Sequence, residues 1–83
     1  MKIYLVGSKS KMEKYKEALV FLFNMNRSDI RSGTNVPTYV GGEYLVFKPS
    51  ATNSFERNLK ELINYFPSVP ADIKILEAIQ LFS

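Results

Sequence analysis

The stretch from Val36 to Pro49 constrains the fold more than any other part of the chain. Two β-rich runs flank Gly41-Gly42. A two-residue primed turn needs positive φ at one or both central residues, which glycine adopts without a steric penalty. The pair therefore predicts a β-hairpin. Pairing outward from the turn sets Val40 opposite Glu43, Tyr39 opposite Tyr44, Thr38 opposite Leu45 and Val36 opposite Phe47. Alternation along a strand then puts Val36, Thr38, Val40, Leu45 and Phe47 on one face. Tyr39, Tyr44, Val46 and Lys48 share the other. The first face is expected to meet the core. The second is expected to be a wetter surface carrying two tyrosines.

Whether one core can be built around such a hairpin depends on size and composition. A chain of 83 residues is expected to form one α+β domain spanning 1–83. At that size roughly 60–65% of the unfolded surface is buried, so the apolar residues must be well placed. They make up 46% of the chain, ordinary for a globular protein. With no cysteine, disulfides and thiolate metal sites are excluded, which suits a cytoplasmic protein. With no histidine, the commonest general base and metal ligand is missing too. No apolar run approaches the length of a membrane span. Met1 to Gly7 is too short for a cleaved leader and is expected to be a first strand. The net charge of +3 is a mild basic excess, compatible with a polyanionic partner. Abundant Ile, Lys, Asn, Tyr and Phe fit an AT-rich coding source, as in many phage and low-GC bacterial proteins.

The other elements follow from periodicity. Lys2 to Val6 alternates as a strand, with Ile3 and Leu5 on one side and Lys2, Tyr4 and Val6 on the other. Ser10-Lys-Met-Glu13 has the form of a capping box, so a helix is expected from about Lys11 to Met25. Met12, Tyr15, Leu19, Leu22 and Phe23 form its core stripe, and Phe21 lies roughly opposite, flanked by Met25 and Ala18. Asn26 to Thr34 is polar and turn-rich, the composition of a loop carrying Arg27 and Arg31. Asn53 is placed to cap a second helix, whose apolar face is Phe55, Leu59, Leu62, Ile63 and Phe66. Pro67 ends it. Ala71 to Phe82 fits either period. Ile73, Ile75, Ile79 and Leu81 alternate as a strand, whereas Ile75, Leu76, Ile79 and Phe82 fit a helix. With a strand there, the order is βαββαβ. That is the ferredoxin-like arrangement, a four-stranded antiparallel sheet with two helices on one face. The strand reading is the one expected; as the alternative, with a helix there, the fold is a three-stranded sheet with three helices.

Candidate chemistry is sparse. No pair of carboxylates has a spacing that compels a shared site, so no catalytic residue, metal or cofactor is expected. Val6-Gly-Ser-Lys-Ser10 follows a strand and precedes a helix, where backbone N–H groups can cradle a phosphate. It has neither Walker spacing nor three glycines. Met1-Lys-Ile-Tyr-Leu-Val-Gly-Ser8 resembles the first strand of nucleoside deoxyribosyltransferase-like domains, over about a tenth of the chain. Ile3-Tyr-Leu-Val-Gly7 is similar to the shorter ribonucleoprotein motif of RNA-recognition-motif domains. Gly41 to Phe47 matches the longer motif at Gly41, Tyr44, Leu45 and Phe47. It departs from it at Val40, Gly42 and Glu43. That resemblance implies base stacking on an open sheet face.

Two functional readings follow. The first is a non-enzymatic regulatory or accessory protein that binds a protein partner or a second copy of itself. Its surface would be Phe21 and Met25, or the tyrosine face of Tyr4, Tyr39 and Tyr44. The alternative is single-stranded nucleic-acid binding through Tyr4, Tyr44, Lys2, Lys48, Arg27 and Arg31.

Overall fold

The computed structural model describes residues 1–36 and 43–83. Pro37, Thr38, Tyr39, Val40 and both turn glycines, and with them the expected hairpin turn, lie outside the described residues. The strands are β1 (Lys2–Val6), β2 (Ile30–Gly33) and β3 (Tyr44–Phe47). The helices are α1 (Lys9–Phe23), α2 (Phe55–Ile63) and α3 (Asp72–Phe82), and a single 3₁₀ turn at Arg27–Asp29 precedes β2.

The sheet order is β2-β1-β3, and both pairings are parallel. This corrects the expected four-stranded antiparallel sheet; the alternative, three strands with a helical C-terminal segment, holds. The cause is β2, which falls in the stretch expected to be a loop. α1 has 15 residues and so spans about 22 Å, enough to return the chain to the start of β1. The next strand then runs parallel to β1, as a crossover connection requires. Ile30 pairs with Ile3 and is buried, and this one anchor outweighs the polar composition around it. β3 takes the other edge, with Leu45 beside Ile3 and Phe47 beside Leu5.

All three helices pack on one face of the sheet. Ile3, Leu5, Ile30 and Phe47 form a single cluster with Met12, Tyr15, Leu19 and Leu22 of α1. Leu59, Leu62 and Ile63 of α2 and Ile75 and Ala78 of α3 complete it. The expected apolar face of α2 is therefore its buried face. Asn24 stops α1 in the left-handed conformation (φ 53°), which asparagine tolerates better than most residues. The C-terminal segment is helical because Ile75 and Ala78 share a stripe against α1, where a strand would turn alternate residues outward. Phe82 meets Phe21 edge-on at 5.9 Å between ring centres. Phe23 stacks on Phe66 at 3.9 Å, tying α1 to the chain beyond α2.

Candidate ligand-binding cavity

A cavity of about 410 Å³ opens where β1 and β3 end and their chains turn into α1 and α2. In open parallel sheets, ligands bind outside the carboxyl ends of the strands, where the strand order reverses. In the order β2-β1-β3 that point falls between β1 and β3.

One wall is the β1–α1 turn. The Gly7 N–H bonds to the Gly33 carbonyl at 2.9 Å, extending the ladder one residue past β1. Ser8 is the N-cap, and its carbonyl accepts from the Met12 N–H at 2.9 Å. The helix thus begins two residues before the expected start, with Ser8 and not Ser10 at its cap. The Ser8 hydroxyl makes no capping hydrogen bond, and the first turn holds no acid. Lys9 and Lys11 stand there instead, where the helix dipole favours anions. Lys11 and Lys14 line the cavity.

The other wall is the β3–α2 loop, with Lys48, Ser50 and Asn53. Asn58, buried in α2, bolts this loop in place. Its Nδ2 donates to the Ser50 carbonyl at 3.0 Å, and its Oδ1 accepts from the Ser50 N–H at 3.3 Å. The same Nδ2 donates to the Tyr15 hydroxyl at 3.1 Å, joining the loop to α1. Tyr15 stacks on Phe55 at 4.8 Å, forming the apolar floor. Burial pushes the Tyr15 phenol above its ordinary pKa, and the Asn58 hydrogen bond offsets this only in part. Tyr15 therefore remains a neutral phenol at physiological pH.

Three lysines and no carboxylate stand among the described residues lining this cavity. No cluster of three or more metal-ligating side chains occurs among the described residues. What the arrangement can hold is a small anion with an apolar portion.

The structure separates the residues expected to bind a partner. Lys48 is at the cavity. Lys2, Tyr4, Arg31 and Tyr44 come together on the sheet face opposite the helices. Arg27 stands apart in a two-pronged pair with Glu17, whose carboxyl it holds below the usual range. Phe21 is half-buried, with Phe82 at its edge and Lys74 over its ring at 5.6 Å. Met25 is also partly buried against the core. Tyr39 lies outside the described residues. Sequence reasoning reached the β1–α1 turn, took Asn53 for a helix cap, and missed Lys14, Ser50 and Asn58. Their convergence depends on β1 and β3 being parallel neighbours, which places both strand ends on one side. No helix of the described residues is long and apolar enough to cross a membrane. No family model, curated protein or solved structure gives a significant match to this chain.

Proposed function

We propose that this protein is a non-enzymatic binding module for a small phosphate-bearing ligand, held in the cavity at the carboxyl ends of β1 and β3. The observation that carries this reading is the lining: Lys11, Lys14 and Lys48 converge there, with no carboxylate among the described lining residues. The position at the reversal of strand order supports it. So does the start of α1, where the Ser8 hydroxyl makes no capping bond and the first backbone N–H groups have no partner within the helix. The apolar floor of Tyr15 and Phe55 gives an organic ligand surface to cover.

Isothermal titration with inorganic phosphate and pyrophosphate, in a buffer free of either, tests this. Binding at millimolar concentration or tighter is expected. Lys14→Gln and Lys48→Gln should each weaken it by about 10-fold or more, the scale of one charge-assisted hydrogen bond. Lys60→Gln, on α2 and paired with Glu56, should leave it unchanged. Equal binding by all the variants, or none by the wild type, overturns the reading.

A further inference from the structure

The second candidate surface lies on the other side of the molecule. Parallel sheets normally have both faces covered. Here all three helices pack on the Ile3–Leu5 side, and among the described residues no helix packs on the opposite one. The parallel register assembles that face from all three strands. Tyr4 stands between Arg31 on β2 and Val46 on β3, and Lys2 stands beside Tyr44.

We propose that this face binds a short single strand of nucleic acid, with bases stacked on Tyr4 and Tyr44 and phosphates met by Arg31 and Lys2. Three observations lead there. Tyr4 lies down across its neighbour strand: a Cβ added to Gly33 would sit 2.2 Å from the Tyr4 hydroxyl and 3.2 Å from its ring carbon Cζ. Glycine at that position therefore makes room for the ring to lie across β2. Tyr44 is the second platform, already flanked by cations, with Lys2 Nζ 5.7 Å and the Arg31 guanidinium 6.0 Å from its ring centre. Both cations stand over the Tyr44 ring, where the backbone of an incoming strand would meet them. The acid nearest them, Glu43, is exposed and touches Lys2 at 3.5 Å, a contact that a phosphate can replace.

Area decides between this occupant and a protein. Three strands about 4.8 Å apart and four or five residues long present roughly 200 Å² among the described residues. A standard protein interface needs about 800 Å² from each partner. A platform this small suits two or three stacked bases, and stacking on aromatics tolerates any sequence. A duplex, whose bases already stack on one another, has no such face to offer.

The experiment is fluorescence anisotropy with labelled eight-nucleotide oligo-dT and oligo-U, and a duplex of the same length. Both single strands should bind and the duplex should not, with affinity falling as salt rises. Tyr4→Leu and Tyr44→Leu, each checked for folding by circular dichroism, should each weaken binding by about 10-fold. Gly33→Val alters no charge and no aromatic residue, yet should weaken it as much as Tyr4→Leu by unseating the ring. Lys60→Gln should bind as wild type. If neither oligonucleotide binds at low salt, or if folded Tyr4→Leu and Tyr44→Leu bind normally, the proposal fails. It fails equally if the wild type is a dimer that Tyr44→Leu dissociates, because a second copy then occupies the face.

Discussion

The two strand-to-helix junctions at the carboxyl end of the sheet are built from similar residues and finished differently. At the β3–α2 junction, Ser54 and not the expected Asn53 caps the helix, accepting from the Arg57 N–H at 3.2 Å. Glu56 stands in the first turn, where the dipole favours it, and pairs with Lys60 one turn on. At the β1–α1 junction the capping serine is also present, but its hydroxyl makes no capping hydrogen bond and the first turn is basic. One helix start is capped by its own side chain and carries an acid; the other has neither a side-chain cap nor an acid in its first turn. The difference teaches that the two sides of the cavity have separate duties. The α2 side holds the loop in place and adds Lys48, and the α1 side presents the other two lysines, Lys11 and Lys14. A helix start left short of its best stability, beside a cavity with three lysines, fits a site that an anion completes.

The largest expected effect lies on the α2 side. Asn58→Ala removes three hydrogen bonds at a buried position, including both that hold Ser50. It should cost about 1–3 kcal/mol in a urea melt. If the cost is near zero, the loop is held by something other than Asn58 and the division of duties fails. Tyr15, the other end of this network, supplies a pH signature. Its folded-state pKa is raised, so the fold favours the neutral phenol. The stability this contributes is complete below the ordinary tyrosine pKa of about 10 and is lost as pH rises through the raised value. Melts from pH 9 upward should therefore show an alkaline loss that Tyr15→Phe diminishes. An unchanged loss in Tyr15→Phe would assign it to other groups.

The junctions also mark how far the sequence could be followed. The face assignments held within β1 and β3 but failed at Val36, which was expected on the core face and is exposed outside any strand. Leu45 and Phe47 face the helices and Tyr44 and Val46 face away, as their spacing requires whichever way the neighbouring strand runs. The direction of pairing was another matter. It was set by β2, whose four residues include only one buried apolar side chain, Ile30, too little to show against a polar background. The α2 stripe was legible because its apolar residues keep to one side. α3 was not, because Ile73 and Leu76 are exposed and so blur the helical period of Ile75, Ala78 and Ile79. The start of α1 was misplaced because Ser8 and Ser10 are both good caps by type. Only Ser10 has a glutamate three residues on, but the chain begins its helix at the end of the strand instead. The cavity could not be assembled without the parallel sheet, since Lys11 and Lys48 are remote in sequence.

A smaller effect separates the two caps directly. Ser54→Ala should cost about 1 kcal/mol, the usual worth of a side-chain cap. Ser8→Ala should cost a few tenths at most, because its hydroxyl makes no capping bond to lose. Ser10→Ala, already inside the first turn of α1, should also be close to neutral. Thermal melts in a phosphate-free buffer measure all three. Equal losses for Ser54→Ala and Ser8→Ala would erase the contrast between the junctions.

The smallest expected effect has the opposite sign. Lys11 occupies the third position of α1 after its cap, where glutamate is favoured for two reasons. A carboxylate there opposes the positive end of the dipole, and it reaches back to the N–H of the capping serine, completing a box with Ser8. Lys11→Glu should therefore stabilise the ligand-free protein by about 0.3–1 kcal/mol. The same change puts a negative charge in the wall of the cavity and removes one of its three lysines. Phosphate should then fail to bind in the titration that the wild type satisfies. Stability and binding would move in opposite directions from one substitution, as expected where a helix start is kept suboptimal for a ligand. If Lys11→Glu binds phosphate as well as the wild type, the lysine's charge is a solvated surface feature. If it loses stability together with binding, Lys11 has a packing role, and its place in the first turn would not mark the site.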